Sequence, residues 1–205
     1  MEPDESVTRA MQPALGRVNR WRETPLGISL ETRVERNRDG LESPLGNLFA
    51  DALRAAVPGG DVAIGLGARR GGLRADLPAG PLTRGSLYDA FPFDNRVVSR
   101  EWTGAQLRHA LASVVARPRR GLPGVSGVRV VVTCKGMTPE VEVLRPTGEP
   151  IGHAEELVVV TTDFFAARAP VRDGSRLPMA VEGGAATGRV SNVRAGAPRI
   201  SSATA

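Results

Sequence analysis

Cysteine, histidine, lysine and aromatic residues are all scarce in this 205-residue chain, and each scarcity excludes something. A single cysteine, Cys134, rules out an intrachain disulfide. Two histidines, His109 and His153, lie far apart in sequence, whereas a dinuclear metal centre normally draws on several His and carboxylate ligands. No H-E-x-x-H, C-x-x-C, G-x-S-x-G or P-loop pattern occurs, so the chain is a poor candidate for a self-sufficient metal hydrolase or triad enzyme. No apolar run approaches the roughly 20 residues of a membrane-spanning helix, and no membrane partner is expected. The opening Met1-Glu2-Pro3-Asp4-Glu5 is acidic and lacks the apolar core of a secretory leader. One basic residue is lysine, Lys135; the rest are arginine, scattered along the chain beside abundant Ala and Gly. The net charge of +5 therefore reads as a coding bias more than a basic face, and nucleic acid is not the expected partner.

What is present is globular: 41% hydrophobic and 24% charged residues fit a folded chain with a substantial core. Residues 1–25 read as a lead-in in which Val7 to Trp21 can form a helix despite Pro13. Residues 26–34 alternate as a half-buried strand. Asn37 to Gly40 is a turn cluster. The clearest helix follows Ser43 and Pro44, a capping residue and a first-turn proline, with Leu45, Leu48, Phe49, Ala52, Leu53, Ala56 and Val57 on one face. Asp61 to Leu66 is a buried strand. Thr83 to Ala90 forms a short helix, Arg96 to Trp102 a strand, and Thr103-Gly104-Ala105-Gln106 a capping box opening another helix with His109 off its apolar face. Arg117 to Gly124 is a charged loop. Val128 to Cys134 and Val141 to Leu144 form a hairpin, with Cys134 a small core residue, and Leu157 to Val160 is a last buried strand. From Gly183 onward no apolar period is visible, and 183–205 reads as a mobile tail.

Two features carry chemistry. Gly67 to Arg74 is a glycine-rich loop with Arg69, Arg70 and Arg74 at the carboxyl end of a predicted strand. Glycine admits close backbone approach and arginine presents forked donors to phosphate or carboxylate, although a solvated surface turn has the same composition. Aromatics make up only 4% of the chain, yet four of its five phenylalanines fall in two clusters, Phe91 with Phe93 and Phe164 with Phe165. Such pairs either plug a core or sandwich a flat ring.

Several blocks together resemble a known family. Glu42-Ser43-Pro44-Leu45-Gly46-Asn47-Leu48-Phe49-Ala50-Asp51-Ala52 is similar to E-x-x-L-G-N-L-x-A-D-A of the C-terminal domain of 5'-nucleotidases. Gly71-Gly72-Leu73-Arg74 resembles its N-G-G-G-I-R loop, and Leu87 to Asn95 its L-Y-x-x-x-P-F-x-N. Trp102 to Leu107 resembles L-T-G-x-Q-L, Val125 to Arg129 resembles V-S-G-L-R, and Thr162 to Ala166 resembles N-D-F-L-A. The blocks keep family order from about Leu26 to Ala167.

The resemblance implies an α+β fold, a mixed sheet with helices packed on it, over residues 26–182. It implies that Phe93 and Phe164 stack on the two faces of a base, and that Arg74, aided by Arg69 or Arg70, meets the phosphate or sugar edge. The expected partners are a nucleoside or nucleotide and a metallophosphoesterase domain. That separate domain would hold the pair of divalent metals, with no cofactor in this chain, no catalytic residue and no hydrolysis by the chain alone. Family members usually work outside the cytoplasm. The sequence departs from the pattern in the glycine-rich loop, after the second Phe, and in the tail, where the family's closing helix has no clear counterpart. Arg69 stands where the family loop has Asn, and the G-G-D-G after the second Phe is missing, with Asp173-Gly174 a displaced substitute for the Asp that contacts ribose. These departures fit an alternative, a non-catalytic interaction module that has lost the ligand site.

Overall fold

The structure, a computed structural model, describes residues 4–37, 42–67, 72–116, 122–135, 138–167 and 200–202. The chain divides into two compact units. The first is made of Met1–Val34, Arg74–Pro92 and Pro198–Ala205, the second of Glu35–Leu73 and Phe93–Ala197.

In the first unit, Asp4 caps α1 (Glu5–Arg22), accepting from the Ser6 and Val7 N–H groups. The Ser6 hydroxyl and these two N–H groups hold the Asp4 carboxyl below the usual carboxylate range. Pro13 sits inside α1 without ending it, and none of the helix's residues is buried. Val7, Met11, Leu15, Val18 and Trp21 are all exposed along it. The carboxyl end of α1 is the part that docks. Arg22 makes a two-pronged ion pair with Asp89 at 3.0 and 2.6 Å, and Trp21 meets Tyr88 edge-on at 5.7 Å. Asp89 and Tyr88 belong to α3 (Arg84–Ala90), which Thr83 and Ser86 open with a reciprocal capping box. The strand expected over 26–34 is β1 (Pro25–Leu30), followed by an isolated bridge from Val34 to Leu77. It lies between β3 (Gly80–Thr83) and β9 (Ile200–Ser202), antiparallel to both. So 200–202 of the expected tail form a strand; its other residues lie outside the described ones.

The second unit holds α2 (Pro44–Ala56), β2 (Val62–Gly67), β4 (Val97–Thr103), α4 (Gly104–Val115), β5 (Pro123–Ser126), β6 (Arg129–Lys135), β7 (Thr138–Leu144), β8 (Glu156–Thr162) and α5 (Asp163–Ala166). Its main sheet runs β4-β8-β2-β5. The β2–β8 pair is parallel and the other two are antiparallel, which makes the sheet mixed, as expected for an α+β fold. The hairpin expected over 128–144 is the antiparallel β6–β7 ribbon. Cys134 lies near the end of β6, and its side chain is outside the described set.

Every residue of β2 is buried because both faces of the sheet are covered. Val62 and Ile64 pack with Leu107 and Leu111 of α4 and with Leu157 and Val159 of β8. Ala63 and Val160 pack on the opposite side with Ala50 and Leu53 of α2. Trp102 joins the α4 side, 2% exposed, with its indole N–H unpaired among the described residues.

Both predicted caps form. Ser43 Oγ accepts the Gly46 N–H at 3.0 Å. Thr103 Oγ1 accepts the Gln106 N–H at 3.3 Å while Gln106 Oε1 accepts the Thr103 N–H at 2.8 Å. Thr103→Ala removes the acceptor for that N–H and is expected to cost about 1 kcal/mol, a fall of roughly 2–4 °C in Tm. A melting curve unchanged from the parent would show that the box contributes nothing.

Candidate functional site

Two clasps join α2 to β5, and both use residues of the blocks quoted above. Asn47 accepts the Val125 N–H at 3.2 Å through Oδ1 and donates through Nδ2 to Glu42 Oε1 at 2.6 Å. One turn on, the buried Ser126 hydroxyl accepts from Arg54 Nε at 2.8 Å and donates to Asp51 Oδ1. Glycines in and beside the same blocks let backbones touch. A Cβ on Gly124 would lie 1.9 Å from the Gly46 carbonyl oxygen. Gly127 has φ +80°, and a Cβ there would lie 2.0 Å from the carbonyl oxygen of Asp61. The polar groups of these blocks are thus engaged with one another, so the blocks hold α2 on the sheet.

The aromatic clusters divide. Phe165 is half-buried and packs against the core that contains Leu157 and Val159. Phe91 is half-buried. Phe93 and Phe164 are the exposed members, at 45% and 44%. Core packing therefore accounts for Phe165, whereas Phe93 and Phe164 stand at the surface. The β4–β8 ladder sets where these two stand. Its register runs from Thr103 opposite Glu156 to Val97 opposite Thr162. Phe93 precedes the Val97 end of β4 and Phe164 follows the Thr162 end of β8, so both lie beyond the same end of one antiparallel pair. The pairing continues past the ladder: the Asp163 N–H donates to the Arg96 carbonyl at 2.9 Å, and the Arg96 N–H donates to Asp163 Oδ1 at 3.2 Å. That oxygen also accepts the Phe164 N–H at 2.8 Å. Thr162 Oγ1, buried, caps the following turn by accepting the Phe165 N–H at 3.3 Å.

The remaining predicted site residues are placed differently. Arg74 belongs to the first unit, where its side chain is exposed and its N–H donates to the Ala90 carbonyl at 3.0 Å. Arg69, Arg70 and Asp173 lie outside the described residues, as does the turn at 38–40. Among the described residues no three His, Cys, Asp or Glu side chains gather as metal ligands. His109 is exposed on α4, and His153 Nε2 lies 2.9 Å from Arg108 Nη1. No helix among them is long and apolar enough to cross a membrane. Asp163 was not among the site residues expected from the sequence. Its link to Arg96 spans 67 positions, and only the strand register reveals it.

Comparison with known proteins agrees with this architecture. Residues 19–171 match the family described as "5'-nucleotidase, C-terminal domain". Among curated proteins, the trifunctional nucleotide phosphoesterase YfkN of Bacillus subtilis is 28% identical over 135 residues, 60% of this chain and 9% of that protein. Endonuclease YhcR of the same organism is 40% identical over 80 residues, 39% of this chain and 6% of that protein. Among solved structures, the 5'-nucleotidase precursor of Thermus thermophilus superposes with a TM-score of 0.65 at 25% identity, covering 78% of this chain and 33% of the other. The NAD nucleotidase of Haemophilus influenzae shares the fold at a TM-score of 0.57 and 20% identity, over 82% of this chain and 33% of the other. The chain thus spans less than a tenth of these curated relatives and about a third of these structures. With the family match reaching across both aromatic clusters and every quoted block, the chain belongs to the 5'-nucleotidase C-terminal domain family.

Proposed function

We propose that this chain is the nucleoside- or nucleotide-binding domain of a 5'-nucleotidase-type phosphohydrolase, taking the base between Phe93 and Phe164. The observation that carries the reading is the exposure of these two rings beyond one end of the β4–β8 ladder, while Phe165 packs against the core. An exposed phenyl ring costs free energy in water that a stacked base recovers, and offset stacking suits any base because each has a π-face. Hydrolysis is assigned to a separate metallophosphoesterase domain, which would supply the metal pair. The chain by itself then binds ligand and releases no phosphate. Robust phosphate release by the pure chain with divalent metal would contradict this division.

Calorimetric titration with adenosine, AMP and UMP tests the clamp. Phe93→Ala and Phe164→Ala are each expected to weaken binding about fivefold or more, the lower end of the ~1–3 kcal/mol contributed by stacking one base. Unchanged affinity in both variants would overturn the clamp.

A second reading, an interaction module without a ligand site, is favoured by Arg69 at the family's Asn position and by the displaced Asp173. It predicts no saturable binding of any of the three compounds to the parent chain.

A further inference from the structure

We propose that Asp163 is the positioning residue of this clamp, joining the segment that carries Phe93 to the one that carries Phe164; the inference rests on the reading above. Its carboxylate bridges two donors that regular structure leaves unpaired. The β4–β8 ladder ends at Val97 opposite Thr162. Beyond it the chain turns into α5, so the backbone of residue 163 offers Arg96 a donor, and the Asp163 side chain supplies the acceptor that the ladder no longer does. The Phe164 N–H lies in the first turn of α5, where backbone donors have no intrahelical partner, and it finds the same oxygen. One Oδ1 atom thus ties Arg96, three residues after Phe93, to Phe164 itself.

A helix-capping role does not account for this arrangement. Thr162 is already the cap of α5, through its bond to the Phe165 N–H. The helix is four residues long, too short to gather much of a dipole for Asp163 to complement. The bond to Arg96 leaves α5 altogether and crosses to the other strand's entrance. A carboxylate is a stronger acceptor than a neutral oxygen, which suits a joint that holds the two ring-bearing segments together. Asp163 is half-buried and touches neither base nor phosphate in this scheme, so its effect passes through the two phenyl rings.

The test uses the full chain and adenosine as the probe. Asp163→Ala is expected to weaken adenosine about tenfold, the effect of losing one hydrogen bond to a charged group. Asp163→Asn keeps an Oδ1 acceptor and is expected to bind within about twofold of the parent, since one carbonyl oxygen can accept both bonds. In a Phe93→Ala background, Asp163→Ala is expected to add little further loss, because residues that act through one another are not additive. Hydrogen exchange should quicken at the Arg96 and Phe164 amides while those of β2 stay protected. Four outcomes overturn the proposal. They are parent-like binding by Asp163→Ala, failure of Asp163→Asn to restore binding, full additivity with Phe93→Ala, and exchange that quickens throughout β2. If Asp163→Ala binds normally while both phenylalanine variants fail, the clamp stands and the positioning role falls. If neither phenylalanine variant changes affinity, the clamp itself falls and this role with it.

Discussion

Gly124→Ala is expected to destabilise the second unit by about 3 kcal/mol or more, the upper range for forcing an extra methyl group into a packed site. The new Cβ would lie 1.9 Å from the Gly46 carbonyl oxygen, 2.0 Å from the carbonyl carbon and 2.6 Å from the Asn47 N. All three are backbone atoms in the first turn of α2, so no side chain can swing aside. Relief requires α2 to lift from β5, which would stretch the Asn47–Val125 and Arg54–Ser126 bonds together. Urea unfolding followed by the emission of buried Trp102, in a Trp21→Phe background, gives the size of the loss. Gly16→Ala is the control. It lies in α1, where the nearest atom to a new Cβ is Arg20 Nη1 at 3.7 Å, and alanine is the better helix former by up to about 1 kcal/mol. A Gly124→Ala midpoint equal to that of the parent would show that α2 and β5 are not held as closely as their backbones indicate.

Ser126→Ala is expected to cost about 2–3 kcal/mol, the upper end of the range for leaving a buried polar partner unmatched, because both partners here are ionisable groups. The hydroxyl is 1% exposed and serves Arg54 and Asp51 at once. Alanine leaves those two side chains on the same helix with a gap between them. A direct Arg54–Asp51 pair is their best alternative, at a spacing of three residues, and it recovers only about 0.2–0.5 kcal/mol on a helix surface. The double variant with Asp51→Ala separates the terms. A combined loss smaller than the sum of the single losses shows one coupled network. A Ser126→Ala protein as stable as the parent would show that the clasp is ornamental.

These two residues also show what was legible in the sequence. The helices announced themselves through local chemistry: Ser43 with Pro44, and Thr103 with Gln106, are caps whose partners sit three residues away. The same holds for β2, whose unbroken apolar run reports a strand covered on both faces. The strands β3 and β5 gave no such signal. Each is four residues long and contains Pro and Gly, and each is held by a neighbour distant in the chain, β1 and β2 respectively. Part of 117–124, read as a loop, is for that reason the start of an edge strand, where a proline is tolerated.

At the candidate site composition showed that aromatic rings cluster and the family resemblance singled out Phe93 and Phe164, but neither shows which ring packing leaves exposed. That follows from the alternation imposed by packing: Phe165 meets the core and Phe164 does not. Asp163 drew no reading of its own, because the strand that explains it lies 67 positions away.

The strand Ile200–Ser202 has a consequence for biosynthesis. It pairs with β1, which leaves the ribosome some 170 residues earlier by the numbering. Throughout that interval one margin of β1 is unsatisfied, with its backbone donors and acceptors open to any extended segment nearby. The elements of the second unit are therefore all synthesised before the first unit can be completed, and loss of residues 200–202 would leave β1 as a sticky margin, prone to cross-chain aggregation.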